Sequence, residues 1–153
     1  MEIERKYLVD RLPDSLAQYP HHEIEQGYLC IAPTVRIRKI DKEYWLTIKE
    51  KLPSGSTAIH NREEEFRLSE ETYNKLKDKC EYPLIRKTRY RIPISGLTAE
   101  LDIFHDQYEG LKLVEVEFSD TESADNFSKP QWFGLDVSTD PHYSNSYLAS
   151  HTA

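Results

Sequence analysis

The sequence has few of the features that mark secreted, membrane-spanning or nucleic-acid-binding proteins. It contains only two cysteines, Cys30 and Cys80, which form neither a Cys-x-x-Cys pair nor a disulfide framework, so we expect reduced core thiols and a cytoplasmic protein. No apolar run approaches the ~20 residues of a membrane span. Charged residues follow Met1 directly, so we expect no secretory signal. The net charge of −7 argues against general nucleic-acid binding, although it is compatible with a local basic pocket.

The chain also lacks internal repeats, low-complexity tracts and a recognisable linker. Its 153 residues therefore predict a single domain, residues 1–153, with a core of its own. The six histidines are scattered and form no pairing of a base with an orienting group, so we predict no catalytic role for them. They are His21, His22, His60, His105, His142 and His151.

Charge is what the sequence has in excess, and it recurs at every second position. Charged residues make up 31% of the chain, above the ~25% of an average domain. Because side chains alternate between the two faces of a strand, Glu2, Glu4 and Lys6 would share one face, and Ile3 and Tyr7 the other. The same alternation of charged and apolar positions returns in strand-like segments along the whole chain.

These segments predict a fold that is α+β and mainly β. Eight strands are predicted, at residues 2–9, 23–31, 35–40, 43–50, 57–68, 84–94, 97–105 and 112–119. Helices are predicted after the Ser69 N-cap, after Thr121 and over residues 143–151. Residues 130–141 are predicted to be irregular. Since most strands are joined as hairpins, we expect an eight-stranded antiparallel barrel with a few short helices packed outside.

The charged face could point to solvent, as in most antiparallel sheets, or into the barrel. Solvated faces usually mix the two signs, whereas here like charges occupy positions i and i+2, about 6–7 Å apart. At an effective dielectric near 20, such a pair repels by about 2–3 kcal/mol. Bound cations and a bound polyanion would offset this repulsion, so we favour a charged lumen. The five pairs are Glu2/Glu4, Arg36/Arg38, Glu63/Glu65, Lys87/Arg89 and Glu115/Glu117.

The chemistry of the charged face indicates which ligands it would take. Carboxylates without histidine or thiolate ligands select hard divalent ions such as Mg²⁺ or Mn²⁺. A ring of bases suits a molecule with several phosphates, because guanidinium groups bind phosphate in bidentate fashion. The seven acids are Glu2, Glu4, Glu63, Glu65, Asp102, Glu115 and Glu117. The six bases are Lys6, Arg36, Arg38, Lys49, Lys87 and Arg89.

Seven ordered motifs resemble the CYTH superfamily, also called triphosphate tunnel metalloenzymes. The first, Glu2-Ile3-Glu4-Arg5-Lys6, resembles the E-x-E-x-K signature of that superfamily, and the likeness covers essentially the whole chain. The length and the Tyr143-x-Asn145-x-x-Leu148-Ala149 ending are most similar to short bacterial members, many of which are inorganic triphosphatases. The other motifs are Arg36-Ile37-Arg38, Thr47-Ile48-Lys49, Glu63-Glu64-Glu65, Lys87-Thr88-Arg89-Tyr90, Glu100-Leu101-Asp102 and Val114-Glu115-Val116-Glu117-Phe118.

The resemblance implies an eight-stranded tunnel in which the six bases hold a triphosphate and the seven acids hold one or two divalent metals. Glu2, Glu4 and Glu117 are the preferred metal ligands, although each acid could instead pair with a neighbouring lysine. The implied catalytic residues are Lys6, Glu4 and Glu63. Water would attack the terminal phosphorus in line, while a metal–carboxylate cluster lowers the pKa of that water. Lys6 would contact phosphate, hold the water or form a salt bridge.

Two positions depart from the family's pattern. Short members often carry a lysine after the C-terminal tyrosine, where this chain has Ser144, and Ser146 brings no replacement cation. This puts a phosphate or lid contact from the C-terminal segment in doubt. The strand with the middle acids often reads R-x-E-x-E, which would place arginine at Asn61, whereas this chain has Arg62.

Three functions are compatible with these residues. The preferred one is a metal-dependent triphosphatase that acts on inorganic triphosphate and more weakly on nucleoside triphosphates. Trp45 is expected at the rim or in packing, so little supports a nucleobase site. An adenylate cyclase or thiamine triphosphatase on the same tunnel, and a non-catalytic polyphosphate-binding module, are the alternatives. We expect a small-molecule triphosphate as partner, no nucleic acid, no membrane, and a monomer or homodimer.

Overall fold

A computed structural model describes residues 1–151, and residues 152 and 153 lie outside the described part. The described chain forms strands with three short helices and three 3-10 turns at Leu16–Gln18, Asp106–Tyr108 and Pro141–Tyr143. The helices are α1 Glu70–Lys77, α2 Thr121–Asp125 and α3 Asn145–Ser150. The strands are β1 Glu2–Val9, β2 His21–Cys30, β3 Thr34–Ile40, β4 Glu43–Lys51, β5 Ile59–Leu68, β6 Ile85–Ile94, β7 Leu97–Phe104, β8 Lys112–Phe118 and β9 Phe133–Asp136.

Eight of the strands close into an antiparallel barrel, which confirms the predicted architecture. Their order around the barrel is β5-β4-β3-β2-β6-β7-β8-β1, and β1 pairs with β5 to complete the ring. The pairing of Glu2 with Asn61 and of Glu4 with Ile59 closes one edge of β1, and the pairing of Glu4 with Glu117 belongs to the other. The β1–β5 pairing that closes the ring covers only Glu2 to Glu4 of β1.

The ninth strand corrects one expectation, because residues 130–141 are not wholly irregular. Strand β9 pairs with β1 at Tyr7 and Val9, on the edge that β5 covers only as far as Glu4. The contact is reinforced by Phe133, whose ring centroid lies 5.0 Å from that of Tyr7. The strand has four residues, too few for an alternation to be visible in the sequence. Its formation depends on the edge that a distant segment offers.

Helices α1 and α2 pack on the outside of the barrel, as the sequence predicts. Ser69 caps α1 by accepting a hydrogen bond from the backbone N–H of Thr72, and Tyr73 of this helix is buried. Asp120 rather than Thr121 is the N-cap of α2, and Ala124 is its buried residue. The apolar outer faces of β1, β7 and β8 form the core beneath α2 and β9.

Arg5 is the charged residue of β1 that faces outward, and it joins three parts of the fold. Its Nε donates to the carbonyl oxygen of Ala124 at 2.6 Å. Its guanidinium also reaches Asp125 and Asp136, each at 3.2 Å. Arg5 is only 7% exposed. One buried guanidinium therefore fixes α2 and β9 against β1.

The C-terminal segment closes one end of the barrel. By strand register, Tyr28, Phe104 and Leu113 lie on the inner face, as the partners of Arg36, Lys87 and Asp102 on the neighbouring strands. Together with Ile85 they form an apolar cluster with Val137, Leu148 and Ala149. Helix α3 is shorter than the predicted 143–151 because a 3-10 turn occupies Pro141–Tyr143. None of the helices within residues 1–151 combines the length and the apolar character that crossing a bilayer requires.

Candidate active site

The charged faces of the strands line the interior of the barrel. The interior holds a cavity of about 1360 Å³, which the C-terminal segment also lines through Tyr143, Ser144 and Asn145. Most of the predicted site residues lie on its wall. They are Glu2, Glu4, Lys6, Arg36, Arg38, Lys49, Glu63, Glu65, Arg89, Glu115 and Glu117.

The two remaining predicted residues, Lys87 and Asp102, lie behind the wall as parts of a buried ion cluster. Asp102 accepts two hydrogen bonds from Arg89, from Nε at 2.7 Å and from Nη2 at 2.9 Å. Its Oδ2 also lies 2.7 Å from Lys87 Nζ. Asp102 is thus fully engaged by protein cations, so the structure places it as a partner of the bases rather than on the cavity wall.

The pKa values of this cluster follow from its geometry. Burial opposes the charge of Asp102, yet Arg89 and Lys87 outweigh burial and lower the pKa of Asp102 to about 2. Burial also lowers the pKa of Lys87 to about 7, although Asp102 acts in the opposite direction. Asp102 raises the pKa of Arg89 against the effect of burial. Asp102 is therefore ionised at neutral pH, and Arg89 holds it so.

Two further ion pairs balance charge along β1. Lys6 Nζ lies 3.4 Å from Glu115 Oε1 and donates to the carbonyl oxygen of Tyr143 at 3.0 Å. Burial would raise the pKa of Glu115, but Lys6 and Arg89 lower it well below its ordinary value. Lys49 Nζ lies 3.1 Å from Glu2 Oε1. Lys6 and Lys49 therefore form ion pairs within the protein and also line the cavity, where they can contact a ligand.

Glu4 and Glu117 are acids of the cavity for which the described residues offer no ion pair within 4.0 Å. They are register partners on β1 and β8. Burial is the main cause that raises the pKa of Glu4 well above its ordinary value, and Glu115 and Glu2 add to it. Burial and the charge of Glu2 likewise raise the pKa of Glu117. This pair of carboxylates is electrostatically unfavourable without a bound cation.

Arg36 and Arg38 on β3 are bases of the cavity that, among the described residues, have no carboxylate within 3.5 Å. Arg36 is 5% exposed, and its Nε is the one buried side-chain polar atom of residues 1–151 that has no hydrogen-bond partner. A different nitrogen of Arg36, Nη2, lies 3.9 Å from Glu63 Oε1. Among residues 1–151, Arg38 donates only to the neutral Gln26 amide. Burial, together with Arg36 and Arg89, lowers the pKa of Arg38 to about 9, so the guanidinium stays charged at neutral pH in a surplus of positive charge.

The acids could hold a hard divalent cation only with help from other ligands. Within the described part of the chain, no three Asp, Glu, His or Cys side chains are close enough to form a metal shell by themselves. Mg²⁺ typically binds through one or two carboxylates, with water and substrate phosphates completing its octahedron. Glu4 and Glu117, with Glu2 nearby, supply oxygen donors whose raised pKa values a cation would reverse. The donor set therefore fits Mg²⁺ or Mn²⁺ bound together with a phosphate ligand.

Known proteins resemble this chain in both sequence and fold. The chain is 36% identical over 155 residues to an inorganic triphosphatase of Nitrosomonas europaea, covering 97% of this chain and 96% of that protein. It is 34% identical over 154 residues to an inorganic triphosphatase of Acetivibrio thermocellus, covering 98% and 94%. The chain belongs to the CYTH superfamily of triphosphate tunnel metalloenzymes. The solved structure of the inorganic triphosphatase NE1496 superposes with a TM-score of 0.71 at 33% identity, covering 97% of this chain and 94% of that one. No family model matches the chain.

Several cavity residues of this CYTH barrel were not predicted from the sequence. Glu100 lines the wall and lies 2.8 Å from Arg91 and 3.5 Å from Arg89. Its position two residues before Asp102 was the signal that could have identified it. Asn145 also lines the wall, and Gln26 supports Arg38 from behind. Neutral amides carry no charge pattern, so the alternation could not reveal them.

The positions that depart from the CYTH pattern take structural roles. Ser144 caps α3, where its side chain accepts a hydrogen bond from the N–H of Tyr147. Asn61 lines the cavity and donates to Glu2 Oε1 at 3.2 Å, whereas Arg62 faces outward and lies 3.7 Å from Glu50. Trp45 lies on the cavity wall, with the Arg67 guanidinium 5.4 Å from its ring centroid.

Proposed function

We propose that this protein hydrolyses the terminal phosphoanhydride of inorganic triphosphate in a reaction that depends on Mg²⁺ or Mn²⁺. The observation that carries this proposal is the unbalanced charge of the cavity. Within residues 1–151, Arg36 and Arg38 lack close carboxylate partners, and Glu4 and Glu117 lack close cationic partners. A complex of a divalent cation with a triphosphate would satisfy both pairs at once. The two inorganic triphosphatases that share the sequence support this assignment.

The bases would bind and orient the substrate. Arg36 and Arg38 would donate hydrogen bonds directly to the phosphate oxygens, because guanidinium forks match phosphate geometry. Lys49, Lys6 and Arg89 would add charge from the facing strands. Lys6 uses two of its three N–H donors on Glu115 and the Tyr143 carbonyl, which leaves one for a phosphate oxygen or for the attacking water.

The acids would hold the metal and manage the proton of the attacking water. Glu4 and Glu117, with Glu2 and Glu63 adjacent, are the proposed ligands. When bound, the cation would offset charge on the phosphate oxygens and lower the pKa of water. Lys6 would orient the water in line with the terminal phosphorus, and the carboxylates around Glu4 and Glu63 would receive its proton. Glu65 is an exposed acid at the same cavity and is a ligand for a second cation in this proposal.

The test is release of phosphate from inorganic triphosphate, ATP and thiamine triphosphate, each with Mg²⁺, with Mn²⁺ and with chelator. We expect metal-dependent release that is fastest from inorganic triphosphate and at least about a hundredfold slower for Glu4→Gln. Equal rates with ATP would contradict the selectivity, and cyclic AMP formed from ATP would indicate a cyclase. Binding without release under every condition would contradict hydrolysis and favour a binding module. The cytoplasmic location and the lack of nucleic-acid partners stay predictions.

A further inference from the structure

The C-terminal segment contributes a side chain that links the basic groups of the cavity. Asn145 Oδ1 accepts hydrogen bonds from Lys87 Nζ and from Gln26 Nε2, each at 3.0 Å. Gln26 Oε1 in turn accepts from Nε and Nη2 of Arg38, at 3.0 and 2.8 Å. A single chain of hydrogen bonds therefore runs from α3 through β2 to the guanidinium on β3, and a branch of it reaches β6.

The orientation of the Asn145 amide is fixed by this arrangement. Because Oδ1 accepts two hydrogen bonds, the amide nitrogen must point away from Lys87 and Gln26. Gln26 is fully buried, with 0% exposure, so its own amide has no alternative partner in solvent. Asn145 lines the cavity, and within the described residues its amide nitrogen makes no hydrogen bond. Its N–H donors are therefore available to a guest in the cavity.

Lys87, in contrast, has no donor to spare. Its side chain is 0% exposed, and its Nζ contacts Asp102 Oδ2 at 2.7 Å and Asn145 Oδ1 at 3.0 Å. The ammonium also lies 5.3 Å from the centroid of the Phe104 ring. An ammonium has three donors: here it donates to Asn145, forms an ion pair with Asp102 and lies near an aromatic ring, and Lys87 is not part of the cavity wall. Lys87 can thus act on a cavity guest only through Asn145.

We propose, on the basis of the function proposed above, that Asn145 binds the substrate and that Gln26 is a positioning residue. The Asn145 amide donates a hydrogen bond to a phosphate oxygen of triphosphate. Gln26 holds two N–H groups of Arg38, so that the remaining ones face the phosphates. Asn145 supplies from the C-terminal segment a neutral donor that is already oriented, next to Ser144, which brings no charge.

The decisive variant is Asn145→Asp, which has nearly the same shape. Its carboxylate still accepts from Lys87 and Gln26, so the segment stays docked, but it loses the N–H donors and places negative charge beside the phosphates. We expect Tm to be unchanged or higher and KM for inorganic triphosphate to rise about ten- to hundredfold, with a smaller change in kcat. Gln26→Glu would pair with Arg38 directly, and we expect KM to rise in the same range.

Ser150→Ala is the matched control, because Ser150 lies on the same helix and outside the cavity wall. It is expected to leave KM unchanged. If Asn145 served only to dock the C-terminal segment, Asn145→Asp would keep the KM of the unchanged protein, and that result would overturn the proposal. A loss of Tm without a change in KM would overturn it as well.

Calorimetric binding of inorganic triphosphate in EDTA separates this inference from the proposed function. A wild type that binds triphosphate in EDTA but releases no phosphate from it once Mg²⁺ or Mn²⁺ is supplied would contradict the proposed reaction, and the Kd of Asn145→Asp would still decide the role of the amide. A Kd at least tenfold weaker than wild type would support that role, and an equal Kd would overturn it. A wild type that shows neither binding nor hydrolysis would overturn both proposals.

Discussion

Glu4 and Glu115 are neighbouring acids in the same cavity, yet their surroundings shift their pKa values in opposite directions. Burial and the charges of Glu115 and Glu2 raise the pKa of Glu4. For Glu115 the cationic neighbours Lys6 and Arg89 outweigh burial and lower the pKa. A group whose pKa is raised on folding binds its proton more tightly in the folded state, so its ionisation at higher pH lowers the free energy of unfolding. For a group with a lowered pKa, ionisation adds to that free energy.

Glu4→Gln is therefore expected to stabilise the metal-free protein while abolishing its activity. In chelator, its Tm should exceed that of the wild type at pH 8, and the difference should shrink as the pH falls towards the ordinary pKa of 4.5. Glu115→Gln is the matched comparison and should lower Tm at pH 8, because it removes the partner of Lys6. Scanning calorimetry across this pH range measures both. A lower Tm for Glu4→Gln at pH 8 would contradict the assignment of Glu4 as an uncompensated acid.

Arg36 and Arg89 make a second contrast, between a base without a close acidic partner among residues 1–151 and a base that is paired with Asp102. Arg36→Met removes a guanidinium that lacks a close partner, so we expect little loss of stability and a KM for triphosphate about ten- to hundredfold higher. Arg89→Met leaves Asp102 buried beside Lys87 alone and should cost about 3–5 kcal/mol of unfolding free energy. Urea unfolding and steady-state kinetics separate the two effects. Equal losses of stability would contradict the distinction.

Among the elements, β9 and α2 both contact the guanidinium of one residue of β1, in addition to their apolar packing. Arg5 binds the Ala124 carbonyl, Asp125 and Asp136, and it is almost fully buried. We expect Arg5→Met to cost about 1–3 kcal/mol of unfolding free energy, because it leaves the buried Ala124 carbonyl without its donor and removes the ion pairs to the half-exposed Asp125 and Asp136. Arg62→Met is the control: Arg62 is exposed on the outer face of β5, and its loss should change stability by less than about 0.5 kcal/mol. Urea denaturation of both variants would check this, and equal effects would refute the role of Arg5.

The eight barrel strands could be predicted because each carries its own alternation of charged and apolar residues. Strand β9 could not, since Phe133 to Asp136 is short and forms only because β1 leaves part of an edge unpaired. The predicted α3 was too long because Pro141 initiates a separate turn ahead of it. Local pattern thus predicts the elements whose residues show it, and misses those that depend on a distant partner.

The sequence predicts which charged residues lie in the site, but not which of them form ion pairs with one another. Alternation places Asp102 and Glu4 on the same inner face, but only the register between strands shows that Asp102 is neutralised by Arg89 while Glu4 is not. The amides Gln26 and Asn145 follow no charge pattern and come from segments 119 residues apart. Their hydrogen bond forms because the C-terminal segment packs against the end of the barrel.

At the scale of the whole molecule, the barrel separates charges that the protein pairs from charges that it leaves for a guest. Asp102, Glu115 and Glu2 balance bases within the protein. Glu4 and Arg36 represent the acids and bases that have no comparable partner in the described part of the chain. A cavity of about 1360 Å³, closed at one end by the C-terminal segment, holds both sets. The net charge of −7 conceals this local arrangement.

The most direct test of the proposed function is a pair of crystal structures, of the wild-type protein and of Glu4→Gln, each grown with a non-hydrolysable triphosphate analogue and Mn²⁺. In the wild type we expect anomalous density for manganese beside Glu4 and Glu117, and phosphate density against Arg36 and Arg38. In Glu4→Gln the manganese density should be weaker while the phosphates stay in place. Triphosphate analogue bound outside the barrel, or manganese bound away from Glu4 and Glu117, would contradict the proposed function.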